Sequence, residues 1–305
     1  MKTAVVTGAG GFVGRSVVKE LLSQGFDVLS IVHSKKKVPD EIKDSIILEC
    51  GFEDYLSIID SIKNYCPDVF YHFAWSGTSG QMRANEEVQL SNVKGTCNAI
   101  RVANLVGCRR FVFAASIMEY EVDSEIKSMQ FPNINSIYST AKLAADYMAR
   151  ILAGHYNLEY ISAMISNIYG PGEYSPRLIN TTIRKLLKEE HVSLSNCEQL
   201  YDFLYISDAA KMIVAVGIKG ISGKNYYIGN RKRRPLKQFM EELRDIVKPD
   251  AVLGFGEVPF SGVGLENLCF DTESVLIDTK VEPYVTFSDG ISKTRDWILK
   301  EEIRL

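Results

Sequence analysis

Residues 1–14 read MKTAVVTGAGGFVG, and the fold is decided there. Ala4, Val5 and Val6 form a short apolar run of the kind that fills a strand buried on both faces. Thr7 to Gly14 follows as a glycine-rich turn, and Arg15 to Gln24 shows helical spacing at Val17, Val18, Leu21 and Leu22. In such a strand–turn–helix, residues without side chains let the backbone approach a pyrophosphate, and the unpaired N–H groups of the helix face its charge. A lone glycine triplet is a weak signal. Between a strand and a helix it reads as a dinucleotide fingerprint.

Outward from this turn, strands and helices alternate. Asp27–Val32, Ser45–Leu48, Asp68–Phe73, Arg109–Ala115 and Tyr160–Ile165 read as further strands, with helical patterns at Glu53–Asn64, Asn85–Val106 and Tyr138–His155. That alternation predicts an α/β fold with a doubly wound parallel (Rossmann) sheet. The rhythm changes after Gly170-Pro171-Gly172. Helical stretches at Leu178–Glu190, Ser207–Ile218 and Leu236–Val247 are separated by short strands, and Gly254–Gly264 is glycine-rich. We expect a dinucleotide-binding domain over 1–170, with a segment around 200–229 returning to its sheet. Residues 171–305 should form mainly a smaller α/β lobe for the substrate. Ligands of doubly wound folds lie beyond the carboxyl ends of the strands, where such a lobe would close over whatever meets the cofactor.

Composition narrows the class. The 305 residues are 46% hydrophobic, enough for one large α/β domain with a lobe. A net charge of −3 argues against a nucleic-acid surface, and Lys35–Lys37 and Arg231–Arg234 read as solvated basic runs. A first strand starting at residue 2 leaves no room for a secretory leader, and no apolar run reaches the length of a membrane span. A cytoplasmic protein is expected. The six cysteines (Cys50, Cys66, Cys97, Cys108, Cys197, Cys269) and four histidines are dispersed, without metal-ligand spacing, so no metal site is expected.

Chemistry gathers in the middle of the chain. Tyr138 and Lys142, at i and i+4 on a helical pattern, share one face. A neighbouring ammonium stabilises a phenolate and lowers the tyrosine pKa, giving a proton donor and acceptor at neutral pH. A chain of this length holds roughly half a chance Tyr-x-x-x-Lys match, so position carries the argument. The pair follows the fifth strand, which ends at Ser116, whose hydroxyl can donate to a substrate carbonyl in the same crevice.

With these residues in place, the chain resembles the extended short-chain dehydrogenase/reductase family of nucleotide-sugar epimerases, dehydratases and reductases. The resemblance runs through Thr7–Gly14, His72-Phe73-Ala74, Asn92-Val93-Lys94-Gly95-Thr96, Ser116, Tyr138 with Lys142, Asn167-Ile168-Tyr169-Gly170-Pro171-Gly172, Tyr201–Ile206 and Thr286–Ile291. It implies that Tyr138 is the acid/base, that Lys142 holds the nicotinamide ribose, and that Ser116 polarises the sugar carbonyl. Gly8, Gly11, Phe12, Val13 and Gly14 would meet the dinucleotide, as would His33, Ser34 and Lys35 after the second strand. Phe73, Ala74, Asn92, Ala114 and Ile165 complete that expected set. Trp75, Ser76, Gly77 and Met118 are expected to line the sugar pocket, with Asn167, Arg177, Asn180 and Tyr201 toward the nucleotide; Trp75 reads equally as a packing residue. By analogy, the helices at Asn85–Val106 and Tyr138–His155 would build a homodimer.

The family's reactions separate on two residues. Its dehydratases carry an Asp-Glu pair directly after the Ser/Thr ending the fifth strand; here Ile117 and Met118 stand there and neither transfers a proton. Glu119 comes one residue later, where a shift of one turns the side chain elsewhere. Reduction of a 4-keto-6-deoxy nucleotide sugar, of the kind used in surface-polysaccharide biosynthesis, is the leading reading. A C4 epimerase with tightly held NAD is the alternative, and a non-catalytic dinucleotide-binding regulator the remote one. Ile31-Val32-His33-Ser34-Lys35 holds no carboxylate to repel a 2′-phosphate, and Arg15, His33, Ser34 and Lys35 are cations or donors, so NADP is favoured over NAD. Three departures remain: Cys50-Gly51-Phe52 lacks the aspartate expected near the adenine, Tyr201 stands where many members have arginine, and Met164 replaces another.

Overall fold

The computed structural model describes residues 2–128, 131–260 and 270–303. Met1, Cys269 and the 261–264 part of the Gly254–Gly264 stretch lie outside the described residues. In chain order the elements are β1 (Thr3–Thr7), α1 (Phe12–Ser23), β2 (Asp27–Val32), β3 (Ile46–Glu49), α2 (Ile59–Ile62), β4 (Val69–His72), α3 (Glu86–Leu105), β5 (Arg110–Ser116), α4 (Glu119–Ser128), α5 (Ser136–Tyr156) and β6 (Glu159–Ile165). They continue as β7 (Ile168–Tyr169), α6 (Leu178–Leu187), β8 (Val192–Leu194), β9 (Leu200–Tyr201), β10 (Leu204–Tyr205), α7 (Ile206–Lys219), β11 (Asn225–Ile228), β12 (Arg234–Pro235), α8 (Leu236–Val247), β13 (Leu253–Phe255), α9 (Ser274–Thr279) and α10 (Phe287–Ile303).

Seven strands form the main sheet in the order β11-β6-β5-β4-β1-β2-β3, every neighbouring pair parallel. This is the doubly wound sheet the alternation predicts, with its switch point between β1 and β4. Parallel strands covered on both faces must be apolar throughout, and β1, β4 and β5 are buried from end to end. Val5, Leu29, Ile31, Phe70, Phe111, Phe113 and Tyr160 form the heart of the core, with the Phe70, Phe111 and Tyr160 rings stacked across neighbouring strands.

Chain contacts divide the molecule into two units. The larger comprises 1–165, 210–228 and 273–282; the smaller comprises 166–209, 229–272 and 283–305. Within the larger unit β11 pairs with β6, closing the edge that β6 would otherwise expose. Within the smaller unit β10 pairs with β7, β12 with β9 and β13 with β8. Helices α6, α8 and α10 pack beside these pairs.

Two local expectations differ. The Glu53–Asn64 helix is mostly 3-10 in form, over Phe52–Ile58 and Lys63–Tyr65, with only α2 between them. Gly95 of α3 explains the fit: a Cβ there would lie 3.0 Å from the Phe52 ring, so α3 and this tight segment approach closely. The second difference is α4, which no apolar periodicity announces, because its inward residues are the carboxylates Glu119 and Glu121.

Candidate active site

The glycine turn is built for close backbone approach. Gly8 has φ +66°, and a Cβ there would lie 2.7 Å from the Ala74 nitrogen; a Cβ on Gly14 would lie 2.2 Å from the Gly8 oxygen. Gly11 donates its N–H to the Gly8 carbonyl at 2.9 Å. Phe12 and Val13 then open α1, which has no side-chain cap and no acid in its first turn, so its leading N–H groups remain available to an anion. Thr7 clamps the turn to the end of β4: its hydroxyl meets His72 Nδ1 at 2.7 Å and accepts from the Ala74 N–H at 3.4 Å. A pyrophosphate fits this cradle. Its adjoining cavity, about 520 Å³, is lined by Gly8, His33, Ala74, Trp75 and Ser76, and by Cys50–Tyr55 after β3.

Several of the expected cofactor-contacting residues also have partners within the protein. The Asn92 side chain is taken up on both sides by the backbone of Ser76, at 2.8 Å each way, so it shapes the loop. Ser34 accepts from the Lys36 N–H, and the Lys35 N–H donates to Glu49 Oε2 at 2.7 Å. Arg15 lies 4.0 Å from Glu41. Sequence reading counted no carboxylate at the end of β2. Here Glu49, paired with Val32 in register, supplies one from the next strand.

At the ends of β4 and β5 the three chemistry-bearing residues sit buried, with Trp75 among them. The Ser116 hydroxyl accepts from the Met118 N–H at 3.2 Å, leaving its own proton to donate. Lys142 Nζ donates to the Ala114 carbonyl at 2.8 Å and stands 3.7 Å from the centre of the Trp75 ring. The Trp75 ring meets Tyr138 edge-on, 6.2 Å between centres. Trp75 therefore packs directly against both Tyr138 and Lys142. Its indole N–H is fixed by Gln89 Oε1 at 2.9 Å, and the Gln89 amide also holds the Gly77 and Met82 carbonyls. The locked loop lays the Arg83 guanidinium on the face of Tyr138, 4.2 Å from the ring centre. Sequence reasoning missed Gln89 and Arg83, since no local spacing connects them to Tyr138.

Phe73 follows β4 with its N–H on the Thr7 carbonyl, and Ile165 ends β6 with its carbonyl accepting from Ile117. Ile117 and Met118 thus spend their N–H groups on the strand end. Glu119 turns back: its Oε1 accepts from the Ser116 N–H at 2.8 Å and the residue is buried. Burial pushes Glu119 up to about 8, helped by the carboxylate of Asp146. Burial pulls Lys142 down to about 7 against the attraction of Glu119 and Asp146. His72, enclosed between Thr7 and Thr96, is pulled by burial to about 3 and stays neutral.

In the smaller unit, Asn167, Arg177, Asn180 and Tyr201 all line one cavity of about 160 Å³, with Glu173 and Phe203. Asn180 donates to the Glu173 and Ser175 carbonyls, and Arg177 lies 3.5 Å from Glu173. Among the described residues no cluster of His, Cys, Asp or Glu has the make-up to hold a metal ion. No described helix is long and apolar enough to cross a membrane.

Comparison with known proteins establishes the family and the fold. Curated relatives include a dTDP-glucose 4,6-dehydratase of Xanthomonas campestris pv. campestris, 24% identical over 99% of this chain and 94% of its own length. Protein CapI of Staphylococcus aureus is 22% identical over 97% and 98%. Among solved structures, the UDP-glucose 4-epimerase of Thermotoga maritima with UDP-glucose superposes with a TM-score of 0.82 at 19% identity, covering 98% of this chain and 99% of that one. The Bordetella bronchiseptica enzyme WbmF with NADH gives 0.81 at 20%, covering 99% and 93%. The family model described as "NAD dependent epimerase/dehydratase family" matches residues 4–229, and the chain belongs to that family.

Proposed function

We propose that this protein reduces the ketone of a 4-keto-6-deoxy nucleotide sugar. One observation carries the reading: Ser116, Tyr138 and Lys142 are assembled, while Ile117 and Met118 fill the two positions where dehydration needs acids. A bound reduced dinucleotide supplies the hydride. Ser116 donates a hydrogen bond to the carbonyl oxygen, Tyr138 gives that oxygen its proton, and Lys142 holds positive charge beside the forming phenolate.

The preference for NADP read from β2 gives way to NADH in this reading. Glu49 places a carboxylate on the Lys35 amide, next in the chain to Cys50 of the dinucleotide cavity, and a carboxylate there would oppose a 2′-phosphate. Asn167, Arg177, Asn180 and Tyr201 would take the nucleotide. Exposed Leu90 on α3, with Met148 and Ile151 on α5, suits a homodimer, which sedimentation at micromolar concentration would reveal.

The test is incubation with NADH or NADPH and a panel of nucleotide-linked 4-keto-6-deoxysugars, following loss of the reduced-nicotinamide absorbance. Oxidation of cofactor with at least one ketone is expected. A protein that purifies with bound NAD and interconverts sugars without added cofactor is the epimerase instead.

A further inference from the structure

Tyr138 is buried, and a guanidinium lies on its ring. Arg83 stands 4.2 Å from the ring centre, and its Nη1 donates to the Thr78 carbonyl at 3.4 Å. Arg83 is half-buried, yet no carboxylate among the described residues forms an ion pair with it. A cation partly withdrawn from water is stabilised by an opposite charge, and the group beneath this one is a phenol that can become an anion.

The loop that delivers Arg83 is tightly built. It runs from Trp75 to Asn85, between β4 and α3, and turns at Gly77 and Gly80, with φ of +70° and +64°. A Cβ on Gly77 would lie 2.5 Å from the Met82 carbonyl oxygen, so the two limbs of the loop touch. Gln89, 1% exposed, spans them with donations to the Gly77 and Met82 carbonyls at 3.0 and 3.1 Å. The Arg83 N–H donates to the Gly80 carbonyl at 3.1 Å, and two residues on the Asn85 side chain caps α3 by accepting from the Val88 N–H at 2.9 Å. A side chain on so fixed a base is held in place on the ring.

A neutral phenol offers a cation only the quadrupole of its ring, whereas a phenolate offers a full negative charge. A cation on the ring face therefore stabilises the phenolate more than the phenol. A guanidinium keeps its charge across the whole working range of pH, whereas burial pulls Lys142 down to about 7.

We propose that Arg83 is the counter-ion of the Tyr138 phenolate, acting from the face of the ring. The inference rests on the reading of Tyr138 as the proton donor in ketone reduction. When the Tyr138 proton passes to the carbonyl oxygen, the electron pair of the O–H bond stays on the phenolate. Arg83 stabilises that charge until a proton returns from water.

The other charged groups around Tyr138 are engaged elsewhere. On α5, Lys142 donates to the Ala114 carbonyl, and Asp146 accepts from Tyr160 and Ser162. On α4, Glu119 accepts from the Ser116 N–H, Glu121 from Ser139 and Glu125 from Ser136, while Asp123 pairs with Lys127. On β4, His72 is neutral between Thr7 and Thr96. Glu86 and Glu87, at the start of α3, are exposed.

The test is a titration of Tyr138 by NMR, in protein carrying carbon-13 at Cζ of its 15 tyrosines. The Tyr138 line is the one that Y138F lacks, and no substrate is needed. R83Q should raise its titration midpoint by about 1–2 pH units, and R83K, which keeps a cation, should bring it back. A midpoint unmoved in R83Q overturns the proposal. Equal rises in R83Q and R83K assign the effect to shape rather than charge and overturn it as well. With a ketosugar that the wild type reduces, the alkaline limb of kcat should move up in R83Q and return in R83K, because the donor must hold its proton. A raised KM with an unmoved limb makes Arg83 a substrate anchor and overturns the counter-ion role. If the midpoint moves but no ketone is reduced, the reductase reading fails, while the hold of Arg83 on the phenolate stands.

Discussion

At the scale of single residues, the strongest constraints are steric and electrostatic. Gly14→Ala pushes a methyl group to 2.2 Å from the Gly8 oxygen; the turn must open, and dinucleotide affinity measured by fluorescence titration should fall at least tenfold. Tyr138→Phe keeps the ring between Trp75 and Arg83 but removes the transferable proton. Turnover should drop by about 10²–10⁴-fold with dinucleotide affinity nearly unchanged. Glu49→Gln removes the carboxylate on the Lys35 amide, and the ratio of kcat/KM for NADPH over NADH should rise. His72 titrates near 3 folded against an ordinary 6.5. The unfolded chain therefore binds the extra proton first as pH falls through 6.5, and stability declines until the pH reaches about 3. Melting curves across that window should show the decline, and His72→Asn should flatten it.

At the scale of elements, α4 acts on α5. Helix α5 begins without a side-chain cap and without an acid in its first turn, although Tyr138 and Lys142 depend on where it starts. Glu121 accepts from Ser139 and Glu125 accepts from Ser136 at 2.6 Å. A neighbouring helix thus supplies the negative charge that the N-terminus of α5 lacks. The double change Glu121→Gln with Glu125→Gln should cost about 1–2 kcal/mol in denaturant unfolding. Such partners explain what the sequence showed and what it hid. β2 and α8 run over the residues their patterns predict, and Tyr138 with Lys142 was legible because i, i+4 spacing is local. Glu119, Asp146, Gln89 and Arg83 act across space, through contacts that no spacing encodes. α4 was invisible for the same reason: buried carboxylates read as solvent-facing until Ser116, Ser136 and Ser139 are brought beside them.

At the scale of the whole molecule, the main sheet is completed by residues far along the chain. The link is more than backbone pairing: Tyr71 donates to the Val214 carbonyl at 3.2 Å, Arg110 donates to the Gly217 carbonyl at 2.8 Å, and a Cβ on Gly217 would strike the Tyr71 hydroxyl. A chain cut after Gly170 should accumulate in the insoluble fraction, since β6 would offer its open edge to other copies. The late arrival of β11 also sets a timetable for synthesis. β6 leaves the ribosome about 60 residues ahead of the strand that covers it, an interval of roughly 3–12 s at ordinary elongation rates. During that interval the nascent sheet, dinucleotide cradle included, has one raw edge. Holding it apart from its neighbours on a polysome is work for a chaperone, or for a dinucleotide already seated in the glycine turn.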